Sequence, residues 1–203
     1  MTDEERRATR ERLAARRGLE TTVYGPAEDS ELLVEAAVEL VGPTDLVLEV
    51  GTGSGHVAAA VVRETEATVY ASDINPHACE QAGARGLETV RATLTRGFRP
   101  GVFDWVLFNP PYLPAPEKSW GDWMSAALTA GTDGMAVIDP FLAGVSEVLR
   151  ADGEVLMVAS SLTGLASVEE TARKVGFDVV TATSDRFPFE RLDVLRLGNN
   201  HGA

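Results

Sequence analysis

Cysteine is almost missing from this chain: Cys79 is the only one in 203 residues. A lone thiol excludes an internal disulfide and a cysteine-built metal site, and it fits a reducing compartment, so a cytoplasmic location is expected. Histidine is scarce too. His56, His77 and His201 have no ligand spacing, and no metal is expected. No apolar run approaches the roughly 20 residues that a membrane-spanning helix needs. The first residues, Met1 to Arg7, carry no apolar segment, so no secretory signal is expected. Lysine is the other shortage: Lys118 and Lys174 are the only two, and the remaining positive side chains are arginines.

What is abundant is negative charge. The formal net charge is −13. That argues against a general nucleic-acid binder, whose affinity rests on basic contacts to phosphate. A carboxylate excess with little lysine is the composition of a protein adapted to high salt. There the screening length falls to roughly 3 Å at 1 M, and self-repulsion is damped. Hydrophobic residues make up 44%, enough for one well-filled core. The expected organisation is a charged helix or tail over residues 1–20, a single domain over 21–198 and a frayed end over 199–203.

The chain alternates apolar runs of strand length with amphipathic helical stretches. Leu46–Val50, Thr68–Asp73, Leu87–Val90, Phe103–Phe108 and Gly153–Ala159 read as strands. Helices are expected from about Asp29 to Val41, His56 to Glu64, from Pro76, Gly134 to Leu149 and Leu165 to Val175. Phe177–Ala182 and Leu192–Leu197 are two further strands with no helix between them, so the last one should enter antiparallel. The pattern predicts an α/β fold with a mostly parallel seven-stranded sheet and helices on both faces. A long loop from Leu113 to about Gly131, holding Trp120 and Trp123, has the length of a lid or recognition element.

Two turns carry the chemistry. The first is Glu49-Val50-Gly51-Thr52-Gly53-Ser54-Gly55, between a strand and a helix. Glycines there let the backbone approach a nucleotide. The dinucleotide fingerprint would need its third glycine at position 56, which is His. The spacing G-x-G-x-G, with an acid two residues before it, favours S-adenosyl-L-methionine over a nicotinamide dinucleotide. Asp73 ends the second strand, 22 residues after Gly51, where an acid can accept both ribose hydroxyls. Ile74 is beside it to cover the adenine face. Thr93 and Leu94 lie just past the third strand, near the expected place of the adenine amino group.

The second turn is Asn109-Pro110-Pro111-Tyr112, at the end of the fourth strand. Two prolines fix φ and remove two backbone donors, leaving carbonyl oxygens, one carboxamide and one ring. Such a set can grip a planar –NH2 group. Taken alone it reads equally as a proline-stiffened turn.

Taken together these stretches resemble a class I S-adenosylmethionine-dependent methyltransferase of Rossmann-like fold, over about residues 22–198. Within that class the chain is similar to the archaeal and eukaryotic release-factor glutamine methyltransferases, relatives of bacterial HemK. Tyr24 to Leu33, Ala127 to Gly134 and Arg186-Phe187-Pro188-Phe189-Glu190 resemble three further motifs of that group. Thr93 stands where the group usually has Asp, Ala130 replaces a glycine, and Gly25 often corresponds to Glu.

The resemblance implies a catalytic set of Asn109, Pro110, Pro111 and Tyr112. It implies a cofactor set of Ser30, Glu49, Gly51, Thr52, Gly53, Gly55, Asp73, Ile74, Thr93, Leu94 and Asn109. Asn109 and the Pro110 carbonyl would hold the target –NH2, with Tyr112 on the amide plane. The implied reaction is N5-methylation of the glutamine in the Gly-Gly-Gln motif of a peptide chain release factor. The implied partner is a small zinc-binding activator protein, adding a strand beside residues 87–94 and bringing the zinc itself. The same four-residue turn occurs in adenine-N6 methyltransferases of DNA and RNA, which is the alternative activity. Those enzymes hold a flipped base with basic surface, which this acidic chain lacks.

Overall fold

The computed structural model describes residues 28–111, 135–188 and 190–199. The charged helix or tail expected over 1–20, Tyr112, and the loop with Trp120 and Trp123 lie outside the described residues.

Helix α1 (Glu28–Leu40) buries Leu32, Leu33, Ala36 and Ala37, one stripe at helical spacing. It leads to β1 (Leu46–Val50), α2 (His56–Thr65), β2 (Thr68–Asp73), α3 (Pro76–Ala84) and β3 (Glu88–Arg91). Then come β4 (Phe103–Phe108), α4 (Ile138–Val145), β5 (Leu149–Ser160), α5 (Leu165–Lys174), β6 (Phe177–Phe187) and β7 (Glu190–Asn199). Among the described residues the strands form a seven-stranded sheet in the order β3-β2-β1-β4-β5-β7-β6. The first five are parallel, and β7 runs antiparallel to both of its neighbours.

Each sheet face has its own core. Val47, Leu107, Leu156, Val158 and Val194 meet α1 and α2 on one face. Leu48, Val106, Phe108, Met157 and Leu195 meet α4 and α5 on the other. Covered on both sides, the central strands read as continuous apolar runs.

The order of the strands locates the crevice. The chain builds outward from β1 to β3, then returns to place β4 on the other side of β1. Ligands of open α/β sheets bind at this reversal, at the carboxyl ends of the strands. The glycine turn leaves β1 there, and the Asn-Pro-Pro turn leaves β4 beside it.

Helix α4 and strands β5, β6 and β7 differ from the expectation. The helix expected over Gly134 to Leu149 is the shorter α4, and Leu149 already opens β5. Past Val145 the chain tightens: the N–H groups of Glu147 and Val148 donate to Gly144 and Val145, and the segment passes into the sheet opposite Phe103. The register of β5 shifts there, and a Cβ on Gly153 would come within 2.7 Å of the Phe103 carbonyl oxygen. Strands β6 and β7 are also longer than expected. The added part of β6, Thr183 to Arg186, is polar and lies on a sheet edge, so it carries no apolar alternation. Asn199, expected to begin the frayed end, closes β7 and donates from its side chain to the Ala151 carbonyl.

Candidate active site

The glycine turn is shaped by three left-handed glycines, Gly51 at φ 68°, Gly53 at 55° and Gly55 at 75°. Gly55 is also a point of close approach. A Cβ there would lie 2.9 Å from both Cα and Cβ of Ala82 on α3. The small face of α3, Ala78 and Ala82, is what lets the turn settle so low.

Glu49 is buried at the end of β1, 3% exposed. Its Oε2 accepts from the Thr52 hydroxyl at 2.5 Å and from the Ala58 N–H at 3.1 Å. Burial pushes its carboxyl up to about 7; the Thr52 and Ala58 hydrogen bonds pull it down, and the nearby Asp73 charge pushes it up. Glu49 thus fastens the turn to the start of α2. The Thr52 N–H donates to the Ser72 carbonyl, and the Ser72 hydroxyl donates to the Glu49 carbonyl.

Asp73 stands across from it at the end of β2. One carboxylate oxygen accepts from the Gly53 N–H at 3.0 Å, the other from the Asn75 N–H at 2.8 Å. Burial raises its pKa, against the pull of the Asn75, Gly53 and Ile74 N–H groups. Ile74 follows, half-buried. Thr93 is exposed, and Leu94 is half-buried with φ 53°. Ser30 is buried in the first turn of α1, where its N–H donates to Asp29 at 2.7 Å.

Asn109 ends β4. Its Oδ1 is buried and has no hydrogen-bond partner among the described residues. Such an acceptor costs on the order of 1–3 kcal/mol unless a ligand or water satisfies it. Pro110 is buried and Pro111 exposed, and neither has an N–H to turn back on that oxygen. Behind the corner, the Phe108 ring packs on Phe141 of α4 with centroids 4.2 Å apart.

The structure therefore brings Glu49, Gly51, Thr52, Gly53, Gly55, Asp73, Ile74 and Asn109 to one crevice, with Ser30 on the α1 side and Thr93 and Leu94 on the β3 side. Tyr112 lies outside the described residues. Side chains that sequence reading passed over also brace the crevice. Arg85 donates to the Ser54 carbonyl at 2.7 Å, and Arg91 donates to the Ile74 carbonyl at 3.1 Å. His56 Nε2 lies 2.8 Å from Glu31 Oε1 without hydrogen-bond alignment, linking the first turns of α2 and α1. These pairs are up to 31 residues apart in the chain, so no local pattern signals them.

The donor set fits an adenosyl sulfonium cofactor. The glycine turn offers open backbone, and Asp73 offers carboxylate lone pairs. Among the described residues no group of three or more His, Cys, Asp or Glu side chains is placed to hold a metal. No helix among them is long and apolar enough to cross a membrane.

Comparison with known proteins agrees with this reading. A family model described as a methyltransferase domain matches residues 48–112. A Methanocaldococcus jannaschii protein that carries the name of a protein N5-glutamine methyltransferase is 34% identical over 183 residues, covering 87% of this chain and 92% of that protein. Human methyltransferase HEMK2 is 33% identical, covering 89% of this chain and 91% of that protein. Among solved structures, the E. cuniculi Mtq2–Trm112 complex, responsible for methylation of the eRF1 termination factor, matches with a TM-score of 0.72 at 24% identity. That match covers 88% of this chain and 99% of the matched chain, and it supports the fold. The chain belongs to the HemK-like protein N5-glutamine methyltransferases, class I enzymes that use S-adenosyl-L-methionine.

Proposed function

We propose that this protein methylates N5 of a glutamine side chain, the one in the Gly-Gly-Gln motif of a peptide chain release factor. The observation that carries the reading is Asn109 Oδ1, a buried acceptor without a partner at the carboxyl end of β4, beside a cofactor crevice. An amide –NH2 presents two N–H groups in a plane. Asn109 Oδ1 takes one, and the Pro110 carbonyl takes the other.

The cofactor supplies an electrophilic methyl group. The chain's own task is alignment, because an amide nitrogen has a delocalised lone pair and is a poor nucleophile. Two acceptors hold both N–H groups, turn the nitrogen toward the crevice and offset the positive charge that grows on it. A proton leaves that nitrogen to water once the N–C bond has formed. Glu49, Thr52, Gly51, Gly53 and Gly55 shape the cradle, Asp73 accepts the ribose hydroxyls, and Ile74, Thr93 and Leu94 border the adenine. Ser30 closes the α1 side, Pro111 stiffens the corner, and Tyr112 packs on the amide plane.

The partner is a small zinc-binding activator protein joined at β3. The domain runs over about residues 21–198, the protein works in the cytoplasm, and its acidic, lysine-poor surface suits high salt. No observation favours adenine as the acceptor.

The test is transfer of labelled methyl from S-adenosyl-L-methionine to a release factor, with the site read by mass spectrometry. Methyl is expected on N5 of the motif glutamine, and none on a Gln→Ala release factor. Label that enters DNA or tRNA and leaves the release factor unlabelled would overturn the proposal.

A further inference from the structure

The adenine side of the crevice is short of free acceptors. Residues 89–103 hold no Asp or Glu, in a chain with 31 of them. Arg91 and Arg96 are exposed there, and a guanidinium donates hydrogen bonds but accepts none. Backbone carbonyls around the turn are already engaged. That of Asp73 accepts from the Ala92 N–H at 3.0 Å, that of Ile74 from Arg91 at 3.1 Å, and that of Thr93 from the Arg96 N–H at 3.1 Å. The Thr95 hydroxyl is buried and donates to the Gly144 carbonyl at 3.5 Å.

Thr93 is what remains. It is exposed, and its hydroxyl has no hydrogen-bond partner among the described residues. An exposed hydroxyl is bonded to water, so an amino group that meets it exchanges one bond for an equal one. The hydroxyl also donates as readily as it accepts, so it does not single out an amino group. A carboxylate would do so, because it only accepts and its bonds to N–H are the stronger kind.

The apolar residues beside Thr93 are held from behind. Arg91 hooks the Ile74 carbonyl from the end of β3. Leu94 has the left-handed φ of 53°, uncommon for a residue of its bulk, and packs on the core cluster that holds Phe108 and Phe141. Side chains of this kind act on the surface of a ring and do not read the groups on its edge.

We infer that the cofactor site is open at position 6 of the purine and that residue 93 makes it so. With Thr there, the site takes adenosyl ligands that lack the 6-amino group or carry an alkyl group on it. This inference rests on the proposed placement of adenine beside Ile74, Thr93 and Leu94. Selection of the ligand falls to the ribose hydroxyls at Asp73 and to the shape of the ring, and the amino group adds little.

The test is titration calorimetry on the full chain, which reads binding and not methyl transfer. The ligands are S-adenosyl-L-homocysteine, its counterpart with purine in place of adenine, and its N6-methyl counterpart. In the wild type the three Kd values should agree within about threefold. Thr93→Asp adds a carboxylate acceptor, and the adenine ligand should then bind at least about tenfold more tightly than the purine ligand. Thr93→Ser keeps the hydroxyl and should behave as the wild type. Residue 93 is exposed, so the melts of both variants should match the wild type's. A purine ligand more than about threefold weaker than the adenine ligand in the wild type overturns the open site, and so does exclusion of the N6-methyl ligand. A Thr93→Asp protein that treats the three ligands alike overturns the role of residue 93. If none of the three binds, the placement of the cofactor is itself wrong and the inference falls with it, a result distinct from uneven binding.

Discussion

Glu49 Oε2 accepts the Thr52 hydroxyl proton at 2.5 Å, at the root of the turn that makes the cofactor cradle. The bond ties an ionisable group to the shape of the site, and the group is out of reach of water. Burial is the main reason that its carboxyl titrates near 7.

The sign of the pH effect follows. The unfolded carboxyl titrates at 4.5, the folded one at about 7. Between those values the native state holds a proton that the unfolded chain has lost. The contribution is fully present below the lower value and is lost as pH rises through the upper one, up to roughly 3 kcal/mol. Glu49→Gln has no proton to lose, so its unfolding free energy should fall less than the wild type's between about pH 5 and about pH 8. Urea unfolding of both proteins at the two pH values checks it, and equal falls would remove Glu49 as the cause.

Gly55 and Ala82 give a second prediction. Gly55→Ala forces a left-handed residue, costing roughly 1–2 kcal/mol. It also drives a methyl into the α3 backbone, costing roughly 1–3 kcal/mol more. Gly86 is the control: it has φ 87°, and a Cβ there meets nothing within 4 Å. Gly86→Ala should show the backbone cost without the packing cost. Denaturant melts that give the two variants the same loss would refute close packing as the reason for the third glycine.

Much of this site was legible because its chemistry is local. Strands β2 and β4 have the bounds read from the sequence, since their apolar runs stop at an acid and at Asn-Pro-Pro. The third glycine at position 55 rather than 56 was legible, but its cause, Ala82, was not. Nor were the braces from Arg85 to Ser54 and Arg91 to Ile74, which exist only once α3 and β3 stand beside the turn. The polar half of β6 was hidden for a different reason. Its strand character comes from pairing with β7, and Ser184, Asp185 and Arg186 carry no strand signal of their own.

Asp73 both braces the turn and, on the proposed reading, holds the ribose. Asp73→Ala should weaken S-adenosyl-L-methionine binding by about 1–3 kcal/mol, the range for a hydrogen bond to a charged group. Because Gly53 and Asn75 also donate to this carboxylate, some loss of stability is expected with it. Asp73→Asn keeps one acceptor oxygen and should fall between. Calorimetry and a melt on the same samples separate the two roles. If affinity is unchanged in both variants, the ribose assignment is wrong.

Asn109→Ala removes one of two acceptors on the reacting nitrogen. It also removes a buried polar atom that lacks a partner, so the fold should be no less stable than the wild type's. Turnover should fall at least ~100-fold, the scale for losing one group that stabilises developing charge. Timed methyl transfer to a release factor decides it. Near wild-type rates would make the corner a structural turn.

The last prediction concerns β3, which ends the sheet. It is four residues long, pairs on one side with β2, and leaves its other side open among the described residues. Val90 is 41% exposed on it. An open edge with an exposed apolar side chain invites another strand, and Glu88 and Arg91 are its only charges. No proline blocks pairing. A partner strand beside residues 87–94 would bury Val90 and satisfy the outward N–H and C=O groups. It would also pack near Arg91, whose guanidinium holds the Ile74 carbonyl at the adenine side of the crevice. Docking there should therefore tighten cofactor binding as well as improve solubility. Co-expression with the small activator should yield a 1:1 complex and raise both soluble yield and methyl transfer. Val90→Lys should weaken the complex, by interface pull-down, and leave the isolated protein's melt within about 0.5 kcal/mol of wild type, as for an exposed substitution. A fully active monomer that ignores the activator, or a Val90→Lys complex as tight as wild type, would place the partner elsewhere.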